Sequence, residues 1–275
     1  MDRAAAVPAI AEARRRRADR ARQVADLLRR EILHGGFGAG RLPLEAALAR
    51  EFGASRNTVR EALDLLREEG IVERCPGVGT TVAGEKYPHG LHRLLGLAET
   101  LHEHGSVTNE VRTMGLIEPP AAVGRRLGVA AGEPVVYLER LRRLNGLPLS
   151  LDLTYLVRDV GEPLFEADLE RNDIFVLLEQ LTGQPLGTAE LTMEAVNADA
   201  HTAAVLDAPR GAALLMIERL THLSDGRPVD LEFVRFRGDR LAMRGHLRRD
   251  PEDPEDPEDP VDPQDPQDPE ENTCP

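Results

Sequence analysis

The sequence predicts an α+β fold, with a small helical domain that ends in a β-hairpin and a larger, mainly antiparallel α+β domain after it. Three observations lead to this prediction. The chain has 275 residues, which allows one large domain or two domains of about 100–200 residues. Apolar residues recur at helical spacing between positions 20 and 70, and later apolar runs flank Asn-Gly and Asp-Gly turns.

The first predicted helix spans Arg20–Leu33, where the apolar residues at helical spacing are Val24, Leu27, Leu28 and Ile32. Residues 1–19 are expected to form a basic, flexible N-terminus, because the apolar spacing begins only after them.

Two further helices follow. One covers Glu45–Phe52, and the next begins at Ser55, a good N-cap, and ends at Gly70. A hairpin is predicted after them, since Pro76–Gly79 separates two short β-like runs. Three helices and a hairpin within residues 20–83 are typical of a winged helix-turn-helix, although a generic small α+β domain has the same pattern.

The order of short motifs in this region adds a family resemblance. The motifs are Ile32…Gly35, Gly40-Arg41-Leu42-Pro43, Glu45…Ala49, Phe52–Leu63 and Gly77–Thr80. Together they resemble the DNA-binding domain of the GntR family of bacterial transcription regulators. Leu44 departs from that pattern, which usually has a small polar helix cap there, and Val78 replaces a residue that is often basic.

The third helix has the residues of a recognition helix. Arg56, Asn57 and Arg60 form its polar front near the N-terminus, and Arg and Asn side chains suit guanine and adenine edges in the major groove. Arg60 could instead pair with Asp64 on its own helix. The full set predicted to contact DNA comprises Arg41, Glu45, Ser55, Arg56, Asn57, Thr58, Arg60, Gly77, Gly79 and Thr80.

A linker over 84–91 leads to the second domain, 92–249. Within it, Glu139–Pro148 recurs as Glu218–Pro228, and each copy lies between two apolar runs. Two hairpins follow from this repeat, so the domain is predicted to be a mainly antiparallel sheet of two related halves.

Motifs in the second domain resemble the UTRA effector-binding domain of the HutC subfamily, which shares its fold with chorismate lyase. They are Leu127-Gly128…Gly132–Val135, Glu139–Arg142, Asn145–Pro148, and Asp225–Pro228…Phe236–Arg240. By residue-wise match, the resemblance implies an effector pocket at Arg140, Arg142, Asp152, Asp173, Phe175, Asp230 and Phe236.

The strand alternation supports part of that set. Arg140 and Arg142 point toward the core, where a charge is costly unless it is paired or faces a cavity. A three-residue loop Asn145–Leu147 would place Arg140 opposite Asp152, whereas a two-residue loop would place it opposite Leu151. The resemblance favours the first register. A structural Arg–Asp ion pair remains the alternative to a ligand site.

Charge and composition limit the function classes. The net charge is −14, yet residues 250–275 hold twelve acids and no base, and six Arg lie between Arg14 and Arg22. A basic front end can approach a polyanion. No apolar stretch of about 18 residues, signal peptide or Cys framework is present. No metal, cofactor or catalytic motif is expected, and a cytoplasmic location is favoured.

The sequence therefore predicts a DNA-binding transcription regulator, a repressor, that a small anionic metabolite releases from its operator. As a homodimer it would bind a near-palindromic double-stranded DNA site. The metabolite should carry one anionic group and several hydrogen-bond donors, ahead of a phosphosugar, because Asp173 would repel a second anion. A chorismate-lyase-like enzyme and a constitutive DNA-binding protein are the alternatives. The tail over 250–275 is predicted to be disordered, either solubilising the protein or competing with DNA for the basic cluster.

Overall fold

A computed structural model describes residues 3–37, 40–83, 86–91 and 93–246, with side chains at position 15 and from position 17 onward. The acidic tail over 250–275 and its predicted disorder lie outside the described residues, as do the side chains of Arg14 and Arg16. Within these ranges, no helix is both long and apolar enough to span a membrane.

The first domain contains three helices and a hairpin. The elements are α1 (Arg3–Leu33), α2 (Glu45–Glu51), α3 (Arg56–Glu68), β1 (Val72–Cys75) and β2 (Gly79–Val82). Strands β1 and β2 pair antiparallel. The apolar faces of the helices meet in one core that includes Val24, Leu28, Leu48, Val59 and Leu66. This arrangement is the winged helix-turn-helix predicted from the sequence.

Helix α1 begins at Arg3, so it starts well before the predicted Arg20, and the flexibility of residues 1–19 stays a prediction. Apolar spacing marks only the part of a helix that packs against a core, whereas Ala and Arg favour helix without such packing. The added turns also contact the domain. Arg17 forms an ion pair with Glu61 of α3, next to Arg20 at the predicted start, which donates a hydrogen bond to the carbonyl of Phe52 at 2.9 Å.

The second domain begins within the predicted linker. Its elements are β3 (Tyr87–Gly90), α4 (Leu97–Leu101), a 3₁₀ turn (His102–His104), β4 (Val107–Ile117), α5 (Ala121–Leu127), β5 (Val135–Leu144), β6 (Leu147–Leu156), α6 (Arg158–Gly161), a 3₁₀ turn (Glu162–Glu166), α7 (Ile174–Thr182), β7 (Leu186–Asn197), α8 (Ala200–Val205), β8 (Ala213–Leu223), β9 (Pro228–Arg237) and β10 (Leu241–Arg244). Strand β3 pairs in parallel with β10, so the predicted linker over 84–91 contains an ordered strand.

A six-stranded sheet forms the body of this domain, in the order β4-β5-β6-β9-β8-β7. Every neighbouring pair is antiparallel. Each half runs strand, helix, hairpin, and the two halves meet where β6 pairs with β9. The two-halved antiparallel sheet predicted from the sequence repeat is therefore confirmed.

The first hairpin reaches the predicted register by a different route. Its loop is the two-residue Asn145-Gly146 turn, with φ of +52° and +80°, and Leu144 pairs with Leu147. A β-bulge at Leu149 then shifts the register, so that Arg140 lies opposite Asp152. The predicted pairing is right and the predicted three-residue loop is wrong, because a bulge adds the extra residue within the strand.

Candidate DNA-binding surface and effector site

Helix α3 presents a polar front on a buried back. Arg56, Asn57 and Arg60 are exposed, whereas Val59 and Leu66 pack in the core. The helix begins at Ser55, whose Oγ accepts a hydrogen bond from the Thr58 amide at 3.1 Å. A side-chain cap of this kind holds the first turn in place. The three polar side chains therefore project from a fixed helix start.

Arg60 pairs with Glu45 of α2, at 2.9 Å between Nη2 and Oε2. The hydrogen bond to Glu45 raises the pKa of Arg60 above its ordinary value. Asp64, the partner considered from the sequence, instead pairs with Arg67. Glu45 therefore orients the Arg60 guanidinium across the gap between the two helices.

A concave surface lies between α2, α3 and the wing formed by β1 and β2, and it encloses a volume of about 370 Å³. The predicted residues around it are Arg41, Glu45, Arg56, Arg60, Gly79 and Thr80, and Arg74 adds a cation that the sequence analysis did not single out. Arg41 is held beside the wing, since the amide of Leu42 donates to the Thr80 carbonyl at 3.0 Å. Four arginines against one glutamate make this surface cationic.

The other predicted DNA contacts divide into two kinds. Asn57 and Gly77 are exposed, and Gly77 has a φ of +76° at the tip of the wing. Thr58 is only 6% exposed, and its Oγ1 lies 2.8 Å from the Oγ of Ser55. The Ser55–Thr58 pair therefore builds the start of α3, and DNA contact by Thr58 stays a prediction.

A cluster of buried charges lies on one face of the large sheet. Arg140, Asp152, Asp230 and Glu232 are each 0% exposed. The register explains why they meet: Arg140 is opposite Asp152 across β5 and β6, and Glu232 is opposite Thr154 across β6 and β9. Alternation along each strand then turns all of these side chains to the same face.

In the first hairpin, the charged side chains of this cluster lie against one another. Arg142 pairs with Asp152 and reaches Asp173 at 3.5 Å. Arg140 Nη2 lies 3.7 Å from Asp152 Oδ2, and none of its side-chain nitrogens has a hydrogen-bond partner among the described residues. Burial, with the nearby charge of Arg142, lowers the pKa of Arg140 to about 10, so it stays cationic at neutral pH. These residues face one another in this conformation, and the choice at Arg140 between a ligand site and a structural ion pair stays a prediction.

Asp173, the N-cap residue of α7, places its carboxylate against the first turn of α4. Its Oδ2 accepts hydrogen bonds from the amides of Ala98 at 2.7 Å and Glu99 at 3.3 Å. Gly96 makes room for it, because a Cβ there would come within 2.4 Å of that oxygen. The carboxylate therefore fills the space beside Gly96 and takes up the Ala98 and Glu99 amides.

Asp230 is held differently from the other carboxylates. Burial and the neighbouring charge of Glu232 raise the pKa of Asp230 well above its ordinary value. Neither of its oxygens has a hydrogen-bond partner within the described part of the chain. This environment favours the neutral, protonated carboxyl.

The second hairpin repeats the arginine–carboxylate pair beside an open space. Arg219 lies opposite Glu232 and pairs with it, and the Phe175 ring supports its guanidinium at 4.4 Å. A cavity of about 280 Å³ borders this pair, with Phe236 and His89 among its walls. Of the predicted effector residues, Phe236 therefore lines the cavity. Phe175 packs against the guanidinium of Arg219, which is part of the cavity wall.

Sequence reasoning missed Arg219, Glu232 and His89. The repeat contained a signal for the first of these, since Glu218-Arg219 recurs at the place of Glu139-Arg140. His89 had no local signal. Burial, with the charges of Arg219 and Arg142, lowers the pKa of His89 to about 4, so its imidazole is neutral at neutral pH.

The described residues contain no group of three or more His, Cys, Asp or Glu side chains placed to hold a metal ion.

Comparisons with known proteins place both domains. The family model of bacterial regulatory proteins of the gntR family matches residues 20–82, and the UTRA domain matches residues 102–242. The chain is 27% identical to the HTH-type transcriptional repressor NagR of Bacillus subtilis, over 82% of this chain and 94% of that protein. It is 28% identical to the histidine utilization repressor of Pseudomonas putida, over 76% of this chain and 84% of that protein.

A solved structure agrees with these matches. The crystal structure of PhnF from Mycobacterium smegmatis superposes with a TM-score of 0.61 at 26% identity, over 82% of this chain and 100% of that one.

Proposed function

This chain belongs to the GntR family of bacterial transcription regulators, in the HutC type with a UTRA domain, and we propose that it represses transcription until a small anionic metabolite releases it from its operator. Members of this family are regulators and not enzymes. The observation that carries the proposal is the cationic concave surface between α2, α3 and the wing, where Arg56 and Arg60 border the same space.

In this proposal the surface docks on the major groove. Arg56 and Asn57 reach base edges, and Arg60 reaches a base or phosphate while Glu45 holds its guanidinium. The 13-residue helix α3 directs its first amides at the phosphate backbone. The wing glycines Gly77 and Gly79 let the backbone approach a neighbouring phosphate. Two such domains in a homodimer would read a near-palindromic operator.

The charge balance of the effector domain limits the ligand. Arg140, Arg142 and Arg219 lie against three carboxyl groups, those of Asp152, Asp173 and Glu232. No surplus positive charge remains in that cluster for a doubly charged phosphate. The proposed effector therefore carries a single negative charge and offers several hydrogen-bond donors to the carboxylates.

The DNA-binding proposal is tested with Arg56→Ala and a matched control, Arg50→Ala, an exposed arginine on α2. Arg56→Ala should lower the operator-over-random affinity ratio by about 1–3 kcal/mol, the scale of one bidentate base contact. The control should leave the ratio unchanged. The operator is first selected from a pool of random DNA sequences with the chain of 275 residues. Fluorescence anisotropy then measures the affinity of each variant for this operator and for random DNA.

Two outcomes would contradict the proposal. A wild-type affinity ratio in Arg56→Ala would show that α3 does not read bases. A monomer, measured by light scattering at operator-saturating concentration, would remove the homodimer and the near-palindromic site.

A further inference from the structure

We propose that the arginine turn of α1, Arg14–Arg17, forms a second DNA contact, on the phosphates that flank the bases read by α3. This inference rests on the proposed function and deepens it. The arginine turn precedes residues 20–82, which the gntR family model matches, so the contact would belong to this chain's own extension of α1.

The direction of α1 brings the arginine turn to the end of the domain that reads DNA. Helices α1 and α3 run in the same direction, since Arg17 pairs with Glu61 in the first half of α3 and Arg29 pairs with Glu69 at its end. At a rise of about 1.5 Å per residue, Arg14 lies about 4.5 Å beyond Arg17 toward the start of α3. The arginine turn is therefore beside the first turn of α3.

A hydrogen bond at the start of this segment supports the same placement. The Arg20 side chain donates to the carbonyl of Phe52 at 2.9 Å, in the connection that leads from α2 into α3. The residues of α1 that precede Arg20 therefore run past the point where α3 begins.

Helix spacing then places the arginine turn over phosphate. The two helices share one core, with Val24 and Leu28 on α1 and Val59 and Leu66 on α3, and packed helices lie about 8–10 Å apart. The major groove is about 12 Å wide. When α3 lies in the groove, the axis of α1 is therefore level with the strand that lines the groove, where phosphates and not base edges are exposed.

The charge of this segment is more than its own contacts use. Positions 3–22 contain seven arginines and two acidic residues. Asp19 pairs with Arg22, whereas the side chain of Arg15 is exposed. Arginines three or four positions apart on a helix repel one another, so the arginine turn costs stability unless an anion lies beside it. Four successive helix positions are 100° apart, so one of them faces the duplex however the helix is turned about its axis.

A charge-matched pair of variants of the full chain tests this inference. The first combines Arg14→Gln, Arg15→Gln and Arg16→Gln, and it keeps Arg17 because that residue pairs with Glu61. The control combines Arg125→Gln, Arg171→Gln and Arg210→Gln, three exposed arginines of the second domain. Both remove three positive charges, so a general effect of net charge is the same in each.

The readout is the affinity for operator and for random DNA at several salt concentrations. In the first variant, the slope of log affinity against log salt concentration should become shallower by about two, because each phosphate contact contributes about 0.9. The operator-over-random ratio should not change, because phosphate contacts carry no sequence information. The control should keep the wild-type slope. Lysine at positions 14–16 should also keep it, because lysine supplies the charge without the guanidinium.

A modified operator locates the contact on the DNA. Methylphosphonates, which carry no charge, replace the phosphates outside the selected bases. This replacement should weaken binding by wild type and by the control, and it should have no further effect on the glutamine variant at positions 14–16.

Three results would overturn the inference. An unchanged slope in the glutamine variant would leave the acidic tail over 250–275 as the partner of the arginine turn. An equal loss in the control would reduce the effect to net charge, and loss of the slope in the lysine variant would assign it to the helix and not to its charge. Failure of the proposed function is a separate outcome, because wild type would then not prefer its operator to random DNA.

Discussion

Lowering the pH should destabilise the protein in part because His89 is buried, and His89→Gln should remove that part of the pH dependence. An unfolded chain protonates histidine near its ordinary pKa of 6.5, whereas burial and the charges of Arg219 and Arg142 lower the pKa of His89 in the folded state to about 4. Between these values the unfolded state binds one more proton than the folded state. The free energy of unfolding therefore falls as the pH is lowered.

The size of the effect follows from the two pKa values. Well above pH 6.5 the imidazole is neutral in both states, so His89 adds no pH dependence there. Lowering the pH from 6.5 to about 4 lowers the free energy of unfolding by roughly 3 kcal/mol through His89. Roughly 2 kcal/mol of this is already lost by about pH 5. Asp173 opposes the shift, and other groups titrate over the same range, so only the difference between variants isolates His89.

The assay is urea unfolding of wild type and His89→Gln at several pH values between about 7 and 5. The difference in unfolding free energy should change by roughly 2 kcal/mol across that interval. His201→Gln, at an exposed histidine on α8, is the matched control and should follow the wild-type curve. Parallel curves for wild type and His89→Gln would refute the reasoning, because they would mean that His89 gains its proton as easily in the folded protein as in the unfolded chain.

Three further predictions address other parts of the molecule. Gly96→Ala should lower the free energy of unfolding by about 1–3 kcal/mol, because its Cβ would overlap a buried carboxylate; Gly115→Ala, with open space around it, should not, and chemical denaturation measures both. Glu45→Ala should free Arg60 for phosphate and steepen the salt dependence of random-DNA binding by about one counterion; an unchanged slope would contradict this. Deleting residues 250–275 should leave the melting temperature unchanged and tighten random-DNA binding only at low salt; equal salt titrations would leave only a solubilising role.

Local patterns predicted most of the fold. The apolar spacing of α3 and the Ser55 cap placed that helix correctly, and the Asn145-Gly146 turn placed the first hairpin. The start of α1 was missed because Arg3–Asp19 needs no apolar stripe to be helical. The bulge at Leu149 was missed because it is defined by the partner strand, which the local sequence does not specify.

The candidate site was only partly predictable. Inward charges on a strand indicated Arg140 and its partner Asp152, since such charges need compensation. The other charges that contact this pair depend on Arg142 and on Asp173, which is distant in sequence. His89 was missed for the same reason: its position depends on the parallel pairing of β3 with β10, residues more than 150 positions apart.

The sequence repeat accounts for a difference between the two halves. Both hairpins place an arginine opposite a carboxylate, Arg140 with Asp152 and Arg219 with Glu232. In the first half Arg142 adds a second cation that draws in both Asp152 and Asp173, whereas the repeat places Thr221 at the corresponding position of the second half. A threonine has neither the length nor the charge to recruit another carboxylate. The second pair therefore keeps free space beside it, and the strand that leads from the DNA-binding domain forms one wall of that space.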